Sequence, residues 1–388
     1  MPHVYGIDES SRSIVSEAVS LGRDIAARRA AEVDVEGRFP SESISALGEQ
    51  GFLGLCVSPR LGGRGQTPRV FAAVVEEIAQ SCGSTAMVYV MHVSAAQAIA
   101  GSAALTDRDD VLREIASGRH LTTLALSEKG TRSQFWAPIS QMKPLNDHFR
   151  VTAFKSWVTS AGHAKSYVAS ARQPHARSPL ETTLFLARQG ARGIRVADAF
   201  NGLGLRGNDS APVAMDELEV RRGDLLTAQG EGSKMTLEVI LPWFAVGTAA
   251  MANGLARAAL AATAAHLSST EFQHTGEKLR DLPTLRARLG QMSVRTEQSR
   301  ALLGYTVGEL EKPSETTPLY VLQARLAAIE AALDVTDLAM KACGGAAFSK
   351  HLPIERLFRD ARAGWVMAPT VDHLQDFVGR ALTGLPLF

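Results

Sequence analysis

The span from Ala125 to Gly162 decides how this chain is read. It carries two polar clusters, Ser127-Glu128-Lys129-Gly130 and Lys155-Ser156-Trp157-Val158-Thr159-Ser160, each beside an apolar or alternating run. The flanking pieces Leu121–Leu126 and Phe149–Phe154 are rich in β-formers and read as strands, joined by a polar loop containing Gln134, Pro138 and Asn146. Trp157 and Thr159 then fall at a strand end.

Such a strand end suits a flat ligand with a polar edge, because it offers an aromatic plane, hydroxyls and backbone N–H groups together. Ser127, Ser133, Trp157 and Thr159 supply the chemistries that a flavin ring and its pyrophosphate need. The same residues also fit a tryptophan packed in a β-domain core with hydroxyls that merely end strands. The four positions alone leave both readings open.

Working outward, further pieces occur in a fixed order. Gly51-Phe52-Leu53-Gly54-Leu55 and Leu61-Gly62-Gly63-Arg64-Gly65 precede the two clusters, and Gly344-Gly345 and Arg359-Asp360-Ala361-Arg362 follow them. As an ordered set, they resemble the acyl-CoA dehydrogenase family nearly end to end. The first pair is similar to that family's first-domain signature, Ser127–Gly130 to its Thr/Ser-Glu-Pro-Gly flavin loop, and Lys155–Thr159 to its Lys-x-Trp/Phe-Ile-Thr strand. The resemblance implies FAD as cofactor, with FMN as the alternative, held by Ser127, Ser133, Trp157, Thr159 and Thr370. It also implies an acyl-CoA substrate, an electron-transfer flavoprotein or flavin reductase as partner, and a homo-oligomer, dimer or homotetramer.

Composition sets the frame for these motifs. At 388 residues, 45% hydrophobic and 21% charged, the chain suggests two or three globular units. Forty-one basic residues against forty acidic ones leave a formal charge of +1, which gives no electrostatic footprint for nucleic acid and points to small-molecule partners. Cys56, Cys82 and Cys343 lie far apart without metal-ligand or disulfide spacing, as expected of a reducing cytoplasm. Met1 to Arg12 lacks an apolar core, and the apolar run Ala86–Ile99 is broken by His92, Ser94 and Gln97, so neither export nor membrane spanning is expected.

Periodicity then divides the chain. An amphipathic helix is expected over Ile14–Val33, a second from Pro40 towards Gly51, and a third from Pro68 to about Ser81, capped by Thr67. Ser84–Gly101 is apolar nearly all round and reads as a central buried helix; another from Thr106 closes at Gly118. Short β-like runs follow at Tyr167–Ala171, Thr182–Ala187 and Ala211–Val220. Long helices return at Ser233–Leu267, with a kink expected at Pro242, then at Pro283–Leu310 and Thr317–Lys341, and from Pro369 to about Leu382. The fold expected is α+β: an N-terminal helical domain (1–120), a small β-barrel-like middle domain (121–225) and a C-terminal four-helix bundle (226–388).

Catalysis in the resembled family needs a glutamate to take the thioester α-proton while hydride leaves to the flavin. Laying Arg359-Asp360-Ala361-Arg362 on the family's Arg-Asp-Ala stretch puts Ala368-Pro369-Thr370 where Glu-Gly-Thr is usual, so Ala368 replaces the base. The alternative seat, Leu241–Gly247, holds no carboxylate, and nearby Glu238 reads as solvated. Ser269 likewise stands where the family has an arginine that reaches a neighbouring subunit's FAD. The candidates left for catalysis are His92, an imidazole in an apolar helix, and Asp372 and His373 after Thr370. His92 also reads as a satisfied core histidine. Its functional reading rests on flavin monooxygenases of similar fold, which place a histidine on the equivalent helix. Three functions therefore stay open: a thioester oxidoreductase without the usual glutamate, a monooxygenase using reduced flavin, and a non-catalytic acyl-CoA or flavin-binding homologue.

Overall fold

A computed structural model describes residues 3–387. The first helices are α1 (Arg12–Leu21) and α2 (Ala27–Glu36), followed by α3 (Ser41–Glu49). Periodicity predicts a single helix where α1 and α2 are separated by a π turn at Gly22–Ala26. There the chain runs against a neighbouring helix so closely that a Cβ on Gly22 would stand 2.9 Å from Ser81 Oγ. That neighbour, α4 (Pro68–Ser81), begins as expected on a proline whose fixed φ and missing N–H suit a first turn. Thr67 has the extended backbone of an N-cap, although its hydroxyl makes no capping bond. The central helix α5 (Gly83–Ala100) is buried on nearly every side, and α6 (Arg108–Ala116) completes the domain.

The middle domain holds strands β1 (Thr122–Ala125), β2 (Lys143–Leu145), β3 (His148–Val158), β4 (Ser166–Arg172), β5 (Thr182–Arg188), β6 (Ile194–Val196) and β7 (Ala211–Arg221). They form a three-stranded sheet ordered β1-β4-β5 and a four-stranded sheet ordered β2-β3-β7-β6. The barrel-like expectation thus takes the form of two sheets over one core, to which Phe149, Val151, Tyr167, Phe185, Val213 and Met215 contribute. Along β3 the alternation turns Phe149, Val151, Ala153 and Lys155 inward, so period-2 geometry carries a lysine into an apolar interior.

The last domain opens with a helix of 38 residues, Gly232–Ser269. Within it α7 (Gly232–Met235) is followed by a π turn at Thr236–Ile240 and then α8 (Leu241–Ser269). The irregularity expected at Pro242 therefore lies one turn earlier, where the widened π turn accommodates a residue that cannot donate back along the helix. By length and composition this helix could cross a membrane; its most apolar window is 72% buried within the fold. It packs between α4 and α5 on one side and α9 (Pro283–Glu311) and α10 (Thr317–Phe348) on the other. α10 runs past its predicted end at Lys341, broken in backbone geometry at Gly344 (φ +52°). After Pro353 the chain forms a further helix, α11 (Ile354–Val366), followed by α12 (Val371–Thr383).

Arg359 joins the three domains. Its guanidinium pairs with Asp34 of α2 and donates to the Leu203 carbonyl at 3.0 Å, while Asp360 accepts from the Leu205 N–H at 2.6 Å. The Arg359-Asp360 pair is a structural junction.

Candidate active site

The two clusters that opened the sequence reading meet in space. The Ser156 N–H donates to the Ser127 carbonyl at 2.9 Å, and Glu128 and Lys155 form an antiparallel bridge. Beneath that bridge Lys155 Nζ lies 2.7 Å from a Glu128 carboxylate oxygen, with both side chains buried. The carboxylate also accepts from the Ile139 N–H at 2.7 Å, the Ser140 N–H at 2.8 Å and the Ser140 hydroxyl. Burial alone would raise the Glu128 pKa, but the ammonium and these donors outweigh it and hold the carboxyl below its usual value. Sequence reasoning missed this pair. The available signal was the phase of β3, which faces Lys155 inward and so demands an anion beside it.

Above the bridge lies a cleft of about 430 Å³, counting the solvent at its mouth, between the middle domain and the helices. Leu124, Leu126, Ser127, Phe135, Ser156 and Trp157 line it from the β side. Met91 of α5, Ile240, Leu241 and Phe244 of the long helix, and Ala368 line the rest. No lining residue is ionisable. Trp157 is 70% exposed and sits in left-handed backbone (φ +56°), a strained position for a bulky residue. An exposed indole beside two hydroxyls, held out by strained backbone, is the kind of wall against which a planar ring stacks.

Of the residues expected to bind cofactor, Ser127 and Trp157 line the cleft. Thr159 is buried, its hydroxyl 2.9 Å from Ser210 Oγ. Ser133 lies in the following loop with φ +69°. Thr370 is the N-cap of α12: its hydroxyl accepts from the His373 N–H at 3.4 Å and lies 3.2 Å from His373 Nδ1. None of these three is a lining residue.

The expected catalytic groups are placed elsewhere. His92 is fully buried behind Met91; its Nδ1 accepts from the Thr122 N–H at 3.1 Å, so its proton is on Nε2, which donates to the Leu53 carbonyl at 3.0 Å. Burial pushes its pKa down to about 4. Of the two readings of His92, this geometry is that of the satisfied core histidine and not of a ring facing the cleft: the Thr122 N–H and the Leu53 carbonyl claim both nitrogens. His373 packs its ring against Trp136 and Phe377, one residue from the lining Phe135, and Asp372 is exposed in the first turn of α12. Neither lines the cleft. Glu238 is exposed.

Arg325 was also missed. It is a lone cation in the mostly apolar stretch Val321–Ile329 of α10, and its guanidinium bonds the Met367 and Ala368 carbonyls at the cleft's edge.

Comparison with known proteins gives the same assignment along the whole chain. Family models for the acyl-CoA dehydrogenase N-terminal, middle and C-terminal domains match residues 8–119, 123–218 and 230–382. The short-chain specific acyl-CoA dehydrogenase of Clostridium acetobutylicum is 25% identical over 334 residues, covering 86% of this chain and 87% of that protein. Among solved structures, butyryl-CoA dehydrogenase from Megasphaera elsdenii superposes with a TM-score of 0.92 at 21% identity, covering 97% of this chain and 99% of that one. The FAD complex of PigA does so with a TM-score of 0.89 at 17% identity, covering 97% and 98%. With all three domain models matched in order and a cleft where the domains meet, the chain belongs to the acyl-CoA dehydrogenase family.

Proposed function

We propose that this protein is an FAD-dependent oxidoreductase that oxidises an acyl thioester in a cleft without a carboxylate of its own. The observation that carries the reading is Ala368. The Arg359-Asp360-Ala361 register puts it at the seat of the family's glutamate, and it lines the same cleft as Trp157. FAD, when bound, supplies the hydride acceptor. Trp157 would back its ring, and Ser127 and Ser156 would meet its polar edge. Met91, Leu241 and Phe244 would shield the acyl chain from water, which sharpens every electrostatic contact inside. With no ionisable lining residue, the α-proton would leave to water or to a group that the substrate brings.

An electron-transfer flavoprotein is the partner that fits this reading. Exposed Phe348, Trp365 and Val366 on the last domain support self-association. A second reading, oxygenation with reduced flavin delivered by a reductase, draws on the same carboxylate-free cleft. It loses the support of His92, whose ring nitrogens are spent on backbone.

The test is spectroscopic. Protein loaded with FAD should be yellow, release FAD on denaturation, and lose its oxidised-flavin absorbance when mixed anaerobically with a short acyl-CoA. Failure to take up FAD would overturn the reading. Oxygen consumption that depends on a reductase, without anaerobic bleaching, would replace it with the second.

A further inference from the structure

Arg325 is 0% exposed, the most deeply buried arginine among the described residues. Its Nη2 donates to the Met367 carbonyl at 3.1 Å and the Ala368 carbonyl at 3.5 Å, and its guanidinium lies 4.8 Å from the centre of the Phe244 ring. Nε and Nη1 have no hydrogen-bond partner among the described residues, which leaves at least three of its five N–H donors unused. Burial is the only influence on its acidity and draws the pKa down to about 9, so the group is cationic at neutral pH.

The other arginines sunk into the fold are paired: Arg362 with Asp337, Arg359 with Asp34 and Glu355, Arg257 and Arg300 with Glu76. An unpaired buried cation is among the most costly features a fold can keep, and the missing partner is an anion. Arg325 itself lines no part of the cleft, but Phe244 and Ala368, which it touches, both do, so its guanidinium lies directly behind the cleft wall.

We propose that Arg325 is the receptor for a carboxylate carried on the substrate's acyl chain, with Phe244 as the ring that turns aside to admit it. The substrate class is then a carboxyacyl thioester. This rests on the reading of the cleft as the acyl site. The guanidinium meets a carboxylate through charge-assisted hydrogen bonds, which are stronger and shorter than neutral ones and which a methyl-ended chain cannot make.

The experiment measures binding to FAD-loaded protein. A series of ω-carboxyacyl-CoA thioesters from malonyl to adipyl is titrated, each against the methyl-ended acyl-CoA of equal length. At least one carboxylate should bind about tenfold or more tightly than its methyl counterpart. Arg325→Met should abolish that preference while keeping methyl-ended binding, and Arg325→Lys should keep part of it. No preference at any length, or a preference that survives in Arg325→Met, overturns the proposal. If Arg325→Met does not fold, Phe244→Ala serves: uncovering the guanidinium should tighten the carboxylate more than the methyl partner, and an equal effect overturns the proposal. If no thioester of either kind binds, the thioester reading fails on its own. Free glutarate then decides: a rise in the wild-type melting temperature that Arg325→Met or Arg325→Lys diminishes supports the carboxylate site, and no rise in the wild type overturns it.

Discussion

Lys155 and Glu128 form a buried ion pair at 2.7 Å that locks together the two clusters around the cleft, and both charges sit inside the β-domain core. Removing one partner strands the other. Glu128→Gln should therefore destabilise the protein by about 3–5 kcal/mol, whereas the double variant Glu128→Gln/Lys155→Met should cost less than the sum of its singles. Additive losses in thermal unfolding would mean that the pair is not coupled. The pH dependence has a defined sign. The Glu128 carboxyl is held below its ordinary 4.5, so its stabilisation is present above pH 4.5 and is lost as pH falls below it.

His92 is expected to be a structural residue. Its replacement by Gln or Ala should lower the melting temperature, on the scale of about 1–3 kcal/mol for an unsatisfied buried group, while FAD content and the rate of flavin reduction stay within a fewfold of wild type. A large rate loss in a variant of unchanged stability would restore a catalytic role. Because its pKa falls from 6.5 to about 4, the folded state resists protonation over that interval and His92 erodes stability as pH drops from 6.5 to 4. His92→Gln should lose less stability than wild type over the same interval.

Asp360 gives the opposite slope. It is fully buried at the three-domain junction, and burial raises its pKa from 3.8 to about 6. The folded state keeps its proton where the unfolded chain has lost it, so stability falls as pH rises from 3.8 to 6, by about 3 kcal/mol at most. Asp360→Asn keeps an acceptor for the Leu205 N–H. Its melting temperature relative to wild type should rise between pH 4 and pH 7, and a constant difference would refute this.

Trp157 should matter to cofactor more than to fold, since its ring is mostly exposed in the protein alone. Trp157→Ala should weaken FAD retention severalfold, matching about 0.5–1.5 kcal/mol of stacking, with the apo-protein melting temperature nearly unchanged. Equilibrium dialysis with FAD measures this, and unchanged affinity would place the flavin elsewhere.

The fold was largely legible because its strongest signals are local. Pro68 and Pro283 open helices where first-turn geometry predicts, and α5 is apolar on every face because every face is buried. What escaped was short or non-local. β2 and β6 are three-residue edge strands, too brief for a period to show, and the π turn at Gly22–Ala26 answers to a helix distant in sequence. At the site, Ser127 and Trp157 were readable as a strand-end pair, and the Ala368 register rested on an ordered motif. His92 stayed open because an imidazole in an apolar helix looks alike whether it faces a cleft or caps a backbone N–H. Arg325 was hidden because its partners Met367, Ala368 and Phe244 come from segments that sequence spacing cannot bring together.

The central claim is that the Ala368 cleft is the reaction centre of a thioester oxidation that lacks its own base. Ala368→Glu places a carboxylate at that wall, and general-base help contributes about 10²–10⁴-fold to such a step. The deciding measurement is the anaerobic stopped-flow rate of flavin bleaching by a methyl-ended short acyl-CoA, in wild type and Ala368→Glu at equal FAD content. The account predicts a faster rate in the variant. An unchanged or slower rate, with FAD fully bound, would contradict it.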